Sequence, residues 1–464
     1  MGITQSPSPT INPRSCNFSQ NPMLVYWEMT QACTLACKHC RAEAMPRAHP
    51  LELTPIESMG LLCQVAAFGD PLPHLILTGG DPLSRKDLFR VIDDAHALGL
   101  AVSITPSATP ALTAEALGLL KAHGIQSLGL SLDGCSAARH DAIRAIPGCF
   151  DRTIDVASEA GRLGLPIQVN TLVAQETADD LPAVYELLKT FPVMRWSLFF
   201  LISVGRGRAL QEVSPEQGEE IMNWILDLLP GAPFAVKTTE APSYRRLALN
   251  RMHASGMTSA EIRRSSVYKG FDIRDGHGIV FVSNQGDIYP SGFLPLRCGN
   301  VRTSSLVDVY RQAPLFQALH SPEQFRGKCG ECEFSHICGG SRARAFAYTG
   351  NPLASDPFCL HQPSASLRVF SENGFVTADT RKGIYRHRNV CQNRTSVKQV
   401  VAVARAGNVK ENNEGNLERE EMAQSRRVLI TCISVCDRQS GQGADRNRSQ
   451  RSKSLPREMR EMSR

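Results

Sequence analysis

From Leu24 to Leu229 the chain alternates between short apolar runs and longer stretches of helical period. The runs Leu24–Met29, His74–Thr78, Ala101–Thr105, Ser127–Leu132, Pro166–Val173 and Arg195–Ile202 read as strands. Between them, Pro55–Phe68, Arg85–Leu98, Thr113–His123, Phe150–Leu163, Leu181–Thr190 and Pro215–Leu229 read as amphipathic helices. Punctuation agrees: Thr54 stands where an N-cap would, before Pro55 and Glu57, and Gly99 and Gly124 follow helix ends. Six strand–helix repeats predict an α/β fold, with a parallel sheet covered by helices. Crossovers of one hand curl such a sheet in one sense. Six units fall short of the eight that close a full barrel, so the expectation is an open, partial (β/α)6 TIM-like barrel. In such folds, function gathers at the C-terminal ends of the strands.

Beyond about residue 235 the rhythm changes. Gly278–Ser283 and Gly286–Tyr289 read as a hairpin around Asn284-Gln285-Gly286, and Ser305–Gln312 and Pro314–His320 read as helices. The division that follows is a flexible arm over 1–22, a core domain over 23–235, a smaller metal-held domain over 236–364, and a disordered basic tail over 365–464. The tail is so unlike the body in composition that a read-through or a mis-assigned reading frame would explain it.

Charge changes the picture once it is divided. The whole chain carries a formal +6, but residues 1–364 hold 31 Lys and Arg against 34 Asp and Glu, and the basic excess belongs to the tail. A nucleic-acid footprint on the folded part is not indicated. No apolar run approaches the roughly 20 residues that span a bilayer, and residues 1–22 lack a signal-peptide core. The reading is therefore a cytoplasmic chain with neither membrane nor nucleic-acid partner.

Fifteen cysteines are many for such a chain, and they are grouped. Cys33, Cys37 and Cys40 lie within eight residues after the first strand, and Cys329, Cys332, Cys338 and Cys359 form a second set. Such spacing favours metal thiolates over disulfides. Three thiols are one short of a closed zinc site and one short of the usual four of a cubane cluster, which leaves a coordination position for a substrate. Near the same sheet rim come Gly79-Gly80-Asp81-Pro82, Ser131-Leu132-Asp133-Gly134, Asn170-Thr171 and Val204-Gly205-Arg206-Gly207.

The spacing Cys33-x3-Cys37-x2-Cys40 after a first strand, followed by Gly79-Gly80-Asp81 and Ser131-Leu132-Asp133-Gly134, resembles a radical S-adenosylmethionine enzyme over about residues 20–362. That resemblance implies a [4Fe-4S] cluster on Cys33, Cys37 and Cys40, with the methionine end of S-adenosylmethionine on the open iron. It also implies reductive cleavage to a 5′-deoxyadenosyl radical, with no catalytic residue beyond the cluster ligands. Gly79, Gly80 and Asp81 carry over as backbone contacts to the methionine amine, Ser131 and Arg144 as holders of its carboxylate, Asn170 as a sugar contact and His39 as a neighbour of the adenine. By residue type alone, Gly79-Gly80 is a tight strand–helix turn, and Ser131 and Arg144 are ordinary surface or cap residues.

The second set, with Cys338-Gly339-Gly340 and Asp356-Pro357-Phe358-Cys359, resembles the auxiliary-cluster half of a SPASM domain. Ser291 stands where one expected cysteine would be, and none follows Gly340. The resemblance therefore implies one auxiliary [4Fe-4S] cluster on Cys329, Cys332, Cys338 and Cys359, with Cys298 as a conceivable substitute ligand elsewhere. The other cysteines, including Cys63 and Cys149, read as ordinary, and Cys135 as a packed thiol near the pocket. Lys237-Thr238-Thr239-Glu240 and Tyr244-Arg245-Arg246, past the sixth helix and near the interdomain cleft, are candidates to meet an acidic substrate, against a default reading of solvated surface. Tyr289-Pro290-Ser291-Gly292 and Gly299-Asn300-Val301-Arg302 resemble the haem-pathway branch, whose members remove or alter propionates of iron porphyrins. Peptide maturases share the architecture and are the alternative substrate reading. An electron donor such as flavodoxin or ferredoxin is implied. From another class, a zinc-stabilised binding protein without chemistry uses the same cysteines; it would be colourless, whereas two four-iron clusters predict a brown protein with about eight irons.

Overall fold

The computed structural model describes residues 17–363 apart from 266 and 271, together with the paired segments Ser366–Ser371 and Gly374–Asp379. The strands are β1 (Leu24–Glu28), β2 (His74–Thr78), β3 (Val102–Ile104), β4 (Leu128–Ser131), β5 (Ile167–Val173), β6 (Val193–Phe200), β7 (Ala235–Thr239), β8 (Ile279–Val282), β9 (Asp287–Tyr289) and β10 (Gly299–Asn300). They make one sheet in the order β10-β9-β8-β1-β2-β3-β4-β5-β6-β7. From β8 to β7 every pairing is parallel, and β9 and β10 return antiparallel.

All six expected repeats are present. Strands β1, β2 and the first half of β5 show the two-residue alternation of a strand with two different faces. On β1, Val25 and Trp27 are fully buried under helices, and on β2 Leu75 and Leu77 are too. The alternate positions Leu24, Tyr26, His74, Ile76 and Thr78 are only half-buried and face the concave side. The helices seal the outer face. Thr54 closes a full capping box with Glu57 at the start of Pro55–Ala66, and Trp196 on β6 packs among Tyr185 and Trp224 while donating from Nε1 to Thr171 Oγ1 at 2.8 Å.

The sheet curls. Burial pushes the Tyr26 phenol on β1 up to about 12, and Arg195 on β6 pulls it the other way. Laid flat, those strands would stand roughly 24 Å apart, five steps of about 4.8 Å. Only a curved sheet brings the two side chains into each other's field. The architecture is a mixed α/β fold with the curved parallel sheet of a partial TIM barrel.

Several elements differ from expectation. A helix, Ala137–Arg144, precedes the one expected after β4. β7 is a seventh parallel strand beside β6, so the expected boundary at 235/236 runs through it. The hairpin expected near 278–289 joins the main sheet, with Leu24 to Trp27 of β1 paired to Ile279 to Val282 of β8. The last residues of the expected arm are anchored: Phe18 is buried, its carbonyl accepts from the Tyr310 hydroxyl, and its ring meets His277 edge-on. At the start of the expected disordered tail, Ser366–Ser371 pairs antiparallel with Gly374–Asp379. The rest of that tail, and residues 1–16 of the arm, lie outside the described residues. Among the described residues no helix is long and apolar enough to cross a membrane.

Candidate active site

The three leading thiols sit where β1 runs out. Cys33, Cys37 and Cys40 line a cavity of about 240 Å³ at the C-terminal rim of the sheet. Backbone and side-chain donors already point at the sulfurs: Leu35 N–H to Cys33 at 3.4 Å, Ala44 N–H to Cys40 at 3.4 Å, and the Arg144 guanidinium to Cys37 at 3.7 Å. Such donors favour thiolate over thiol. Burial works the other way and pushes the Cys33 thiol up, with Ser107 opposing. A bound metal removes such a proton.

The Gly79-Gly80 turn holds the cysteine loop. A Cβ on Gly80 would lie 2.4 Å from the Ala32 carbonyl oxygen, and one on Gly79 the same distance from that of Thr30. Gly79 also has φ +147°, which a side chain disfavours. That closeness is used: Gly80 N–H donates to Thr30 O and Asp81 N–H to Ala32 O, both at 2.7 Å. Both glycines line the cavity. With the Gly80 and Asp81 amides committed, the turn presents carbonyls, the polarity an ammonium group needs, and Gly80 O already accepts from Ser107 Oγ at 2.8 Å.

Asp81 departs from expectation. It is buried and absent from the cavity wall; its carboxylate caps the following turn at Leu83 N and accepts from Thr109 Oγ1 at 2.8 Å. Arg144 does line the cavity, but it is paired with Asp133 at 2.6 Å, both deeply buried. Burial works against the Asp133 charge, yet Arg144, His39 and His140 outweigh it and hold the carboxyl below its usual range. Arg144 is therefore not the free guanidinium expected for a ligand carboxylate.

The remaining expected residues converge on the cavity. Ser131 and Asn170 are register partners across β4 and β5, and both line it. Gln168 donates to Asn170 Oδ1 at 2.8 Å, which fixes the amide so that its NH2 is left to donate. His39 lines the wall; burial pulls its imidazole down to about 4, so the ring is neutral at pH 7 and its 4.0 Å approach to Asp133 is not an ion pair.

Sequence reasoning placed the segment around Arg206 at the rim but did not single the residue out. Arg206 donates from Nε to Cys37 O and from Nη1 to Ala44 O, both at 3.0 Å, so it clasps the cysteine loop at its middle thiol and just past its last. Its Nη2 and His39 Nδ1 are buried without a hydrogen-bond partner, and both residues border the cavity. Gly205, at φ +53°, lets this segment lie against the Cys40 and Arg41 carbonyls. Cys149, read as ordinary, also lines the cavity, whereas Cys135 does not and donates its thiol to Asp180 at 3.1 Å. Cys63, also read as ordinary, is disulfide-bonded.

The second cysteine set converges too. Cys329, Cys332, Cys338 and Cys359 border one small cavity. Asp356 N–H and Arg342 Nη2 donate to Cys329, each at 3.4 Å, Phe334 N–H to Cys332 at 3.4 Å, and Gly340 N–H to Cys338 at 3.5 Å. Gly339 and Gly340 both have positive φ, and a Cβ on Gly340 would stand 3.0 Å from Cys329 Sγ, which explains glycine there. Glu333 and His361 lie beside Cys332, close enough for one ion to be shared, a neighbourhood the sequence spacing did not reveal. Cys298 is elsewhere, packed against the main core with its thiol toward Leu296 O, so it takes no place among these ligands.

A rim of soft thiolates in threes, open to a cavity lined by backbone carbonyls and unspent donors, is a site for a cluster that binds a small zwitterion. The chain belongs to the radical SAM superfamily: that family description matches residues 27–188. Over a longer stretch, it is 34% identical over 342 residues to the AdoMet-dependent heme synthase of Methanosarcina barkeri, covering 74% of this chain and 97% of that one. A PqqA peptide cyclase of Rhizobium meliloti is 25% identical over 348 residues, covering 74% of this chain and 88% of the relative. Among solved structures, Streptococcus suis SuiB bound to S-adenosylmethionine superposes with a TM-score of 0.57 at 15% identity, over 74% of this chain and 78% of that one, a likeness of fold. The chain is thus a radical SAM enzyme that binds S-adenosylmethionine at a [4Fe-4S] cluster. When bound, the pair supplies a 5′-deoxyadenosyl radical. The residues that would hold it are Cys33, Cys37 and Cys40 as ligands, the Gly79-Gly80 carbonyls for the ammonium, and Arg206, Ser131, Asn170 and His39 for the rest of the molecule.

Proposed function

We propose that this enzyme acts on an iron porphyrin and removes the carboxyl group of a propionate side chain. The observation that carries the reading is the 34% identity along 97% of an AdoMet-dependent heme synthase, against 25% to a peptide cyclase. Converting a propionate to a vinyl group releases carbon dioxide and takes one hydrogen atom and one electron from the side chain. The hydrogen would go to the 5′-deoxyadenosyl radical that the cluster and S-adenosylmethionine would supply. The electron needs an acceptor, and the four-cysteine group at Cys329, Cys332, Cys338 and Cys359 suits an auxiliary [4Fe-4S] cluster for that purpose. Its all-sulfur donor set with N–H···S bonds supports this reading. A low-potential donor of flavodoxin or ferredoxin type would reduce the first cluster, in a cytoplasmic setting.

The chain's own residues supply order and shelter. Gly79-Gly80 and Arg206 fix the cysteine loop; Phe199, Ile202 and Phe293 wall the cavity with apolar surface that excludes water from a radical. The test is anaerobic reconstitution, iron and zinc analysis, and incubation with dithionite, S-adenosylmethionine and a porphyrin bearing four propionates. We expect about eight irons per chain, 5′-deoxyadenosine, and a product lighter by carbon dioxide and hydrogen. Iron present with no 5′-deoxyadenosine contradicts the chemistry; zinc in place of iron at all seven cysteines supports a non-catalytic binding protein instead.

A further inference from the structure

The concave side of the sheet and the helix after β7 carry a set of cations that make no ion pair among the described residues. Ser131, Asn170, Ser197 and Lys237 are successive register partners across β4, β5, β6 and β7. Register partners in a parallel sheet project to the same face. Ser131 and Asn170 line the cavity, and Ser197 and Lys237 lie on the same face, further toward the sheet edge. Ser197 is fully buried, and its hydroxyl has no hydrogen-bond partner. Two residues back on β6, on the same face and one layer deeper, Arg195 donates only to Gln168 Oε1 at 3.2 Å. Arg245, at the start of the helix after β7, donates only to the Ile337 carbonyl at 3.4 Å.

Among the described residues none of Lys237, Arg195 and Arg245 makes an ion pair. All three are only half-buried, so water or a ligand reaches them. They nevertheless feel one another: burial, then Arg195, then Arg245 pull the Lys237 amine down to about 8, and burial lowers Arg245 to about 10. The negative groups in Arg245's field are Cys338, Asp272 and Glu240; Asp272 already pairs with Arg274 and His277, and Glu240 is pushed up by burial and by Asp275, which weakens it as a partner. Three cations without an ion pair, close enough to depress the Lys237 amine, cost free energy in a body that is otherwise slightly acidic. A bound polyanion repays that cost.

We propose that Lys237, Arg245 and Arg195 form the carboxylate-reading face of the substrate site, and that they hold the substrate carboxylates that do not react. This rests on the porphyrin reading above and names the residues that select within it. Holding several propionates at fixed points along the β6–β7 side turns the remaining one toward the S-adenosylmethionine cavity. It also separates a tetracarboxylate from a dicarboxylate by charge count.

The test uses reconstituted full-length protein and the Soret band. Iron coproporphyrin, its tetramethyl ester and protohaem are titrated into the wild type, Lys237→Gln, Lys237→Arg, Arg245→Gln and the remote surface control Lys189→Gln. We expect the wild type to prefer the free tetra-acid over the ester and over protohaem, with affinity falling as salt rises. Lys237→Gln and Arg245→Gln should each weaken tetra-acid binding on the order of tenfold, the worth of one charge-assisted contact. Lys237→Arg should restore most of it, and Lys189→Gln should change nothing. If Lys237→Gln and Arg245→Gln bind the tetra-acid like the wild type, or if the wild type takes acid and ester equally, the assignment fails while the porphyrin reading stands. If the wild type binds no iron porphyrin at all, both fall. Should Arg245→Gln not fold, the Lys237 pair and the ester comparison decide the question alone.

Discussion

Arg206 spends two of its three nitrogens on the carbonyls of Cys37 and Ala44 and leaves Nη2 buried and unpaired at the cavity. A buried guanidinium with one idle donor is costly unless a ligand uses it. Arg206→Gln is expected to weaken S-adenosylmethionine binding on the order of tenfold in a titration of reconstituted protein. Arg144 is the opposite case. Its charge answers Asp133 at 2.6 Å, and neither is open to exchange. Asp133→Asn leaves Arg144 buried without its partner and should cost about 3–5 kcal/mol in urea unfolding. The Asp133 carboxyl is held below its usual range, so its contribution is complete above the ordinary carboxylate pKa and fades as pH falls below it. The difference between wild type and Asp133→Asn should therefore shrink in acid below about pH 4 and stay constant from there to neutrality. From sequence, both arginines were visible at the rim, but Arg144 alone was expected to hold the ligand. Only coordinates reveal that a carboxylate eleven positions earlier occupies it.

Among elements, the turn after β2 decides whether the cysteine loop exists. Its two glycines leave room for the Thr30 and Ala32 carbonyls, which accept from Gly80 and Asp81. Gly80→Ala would push a methyl to 2.4 Å from the Ala32 oxygen, where backbone must move. The expected outcome is loss of cluster iron under reconstitution and of 5′-deoxyadenosine formation, with far-UV circular dichroism close to wild type. The special character of this turn was legible as Gly-Gly; what the sequence did not show is that its closest approach is to the chain's own loop. The same limit explains β7 and the helix Ala137–Arg144. Ala235–Thr239 lacks the apolar alternation of the other strands because its inner face meets a polar lumen and β7 forms the sheet edge. In Ala137–Arg144 the buried set includes His140 and Arg144, polar side chains held by Asp133, so an apolar stripe never forms. Strands β2 to β6 were legible because their outer faces meet helices and carry Val, Leu, Ile and Trp.

On the scale of the whole molecule, the curved sheet and the second cysteine site are tied by one fully buried side chain. Arg344 donates from Nη2 to the carbonyl of Leu201 just past β6 at 3.0 Å, from Nε to Glu212 at 3.0 Å, and from Nη1 to the carbonyl of Glu240 just past β7 at 2.6 Å. Its own helix, Arg342–Thr349, begins beside Gly340 and Asp356, which border the second cysteine cavity. β8 adds a second tie through its pairing with β1. A chain ending at residue 235 would lose β7, leave β1 without β8 and expose the edges of both β1 and β6, so it is expected to lack a cooperative unfolding transition. Each cysteine site nevertheless has its own local supports, with Arg206 and Gly80 at the first and Arg342, Gly340 and Asp356 at the second. Cys332→Ala should therefore leave about four of about eight irons and preserve reductive formation of 5′-deoxyadenosine, while ending product formation for want of an electron acceptor. Cys37→Ala should also keep about four irons but give no 5′-deoxyadenosine. Arg344→Met separates the two accounts of the tie: if Arg344 only joins the regions, stability falls by about 3–5 kcal/mol while each site still takes up its iron. If instead one site's assembly depends on the other, iron is lost from both together, and the iron count per folded chain reads the difference directly.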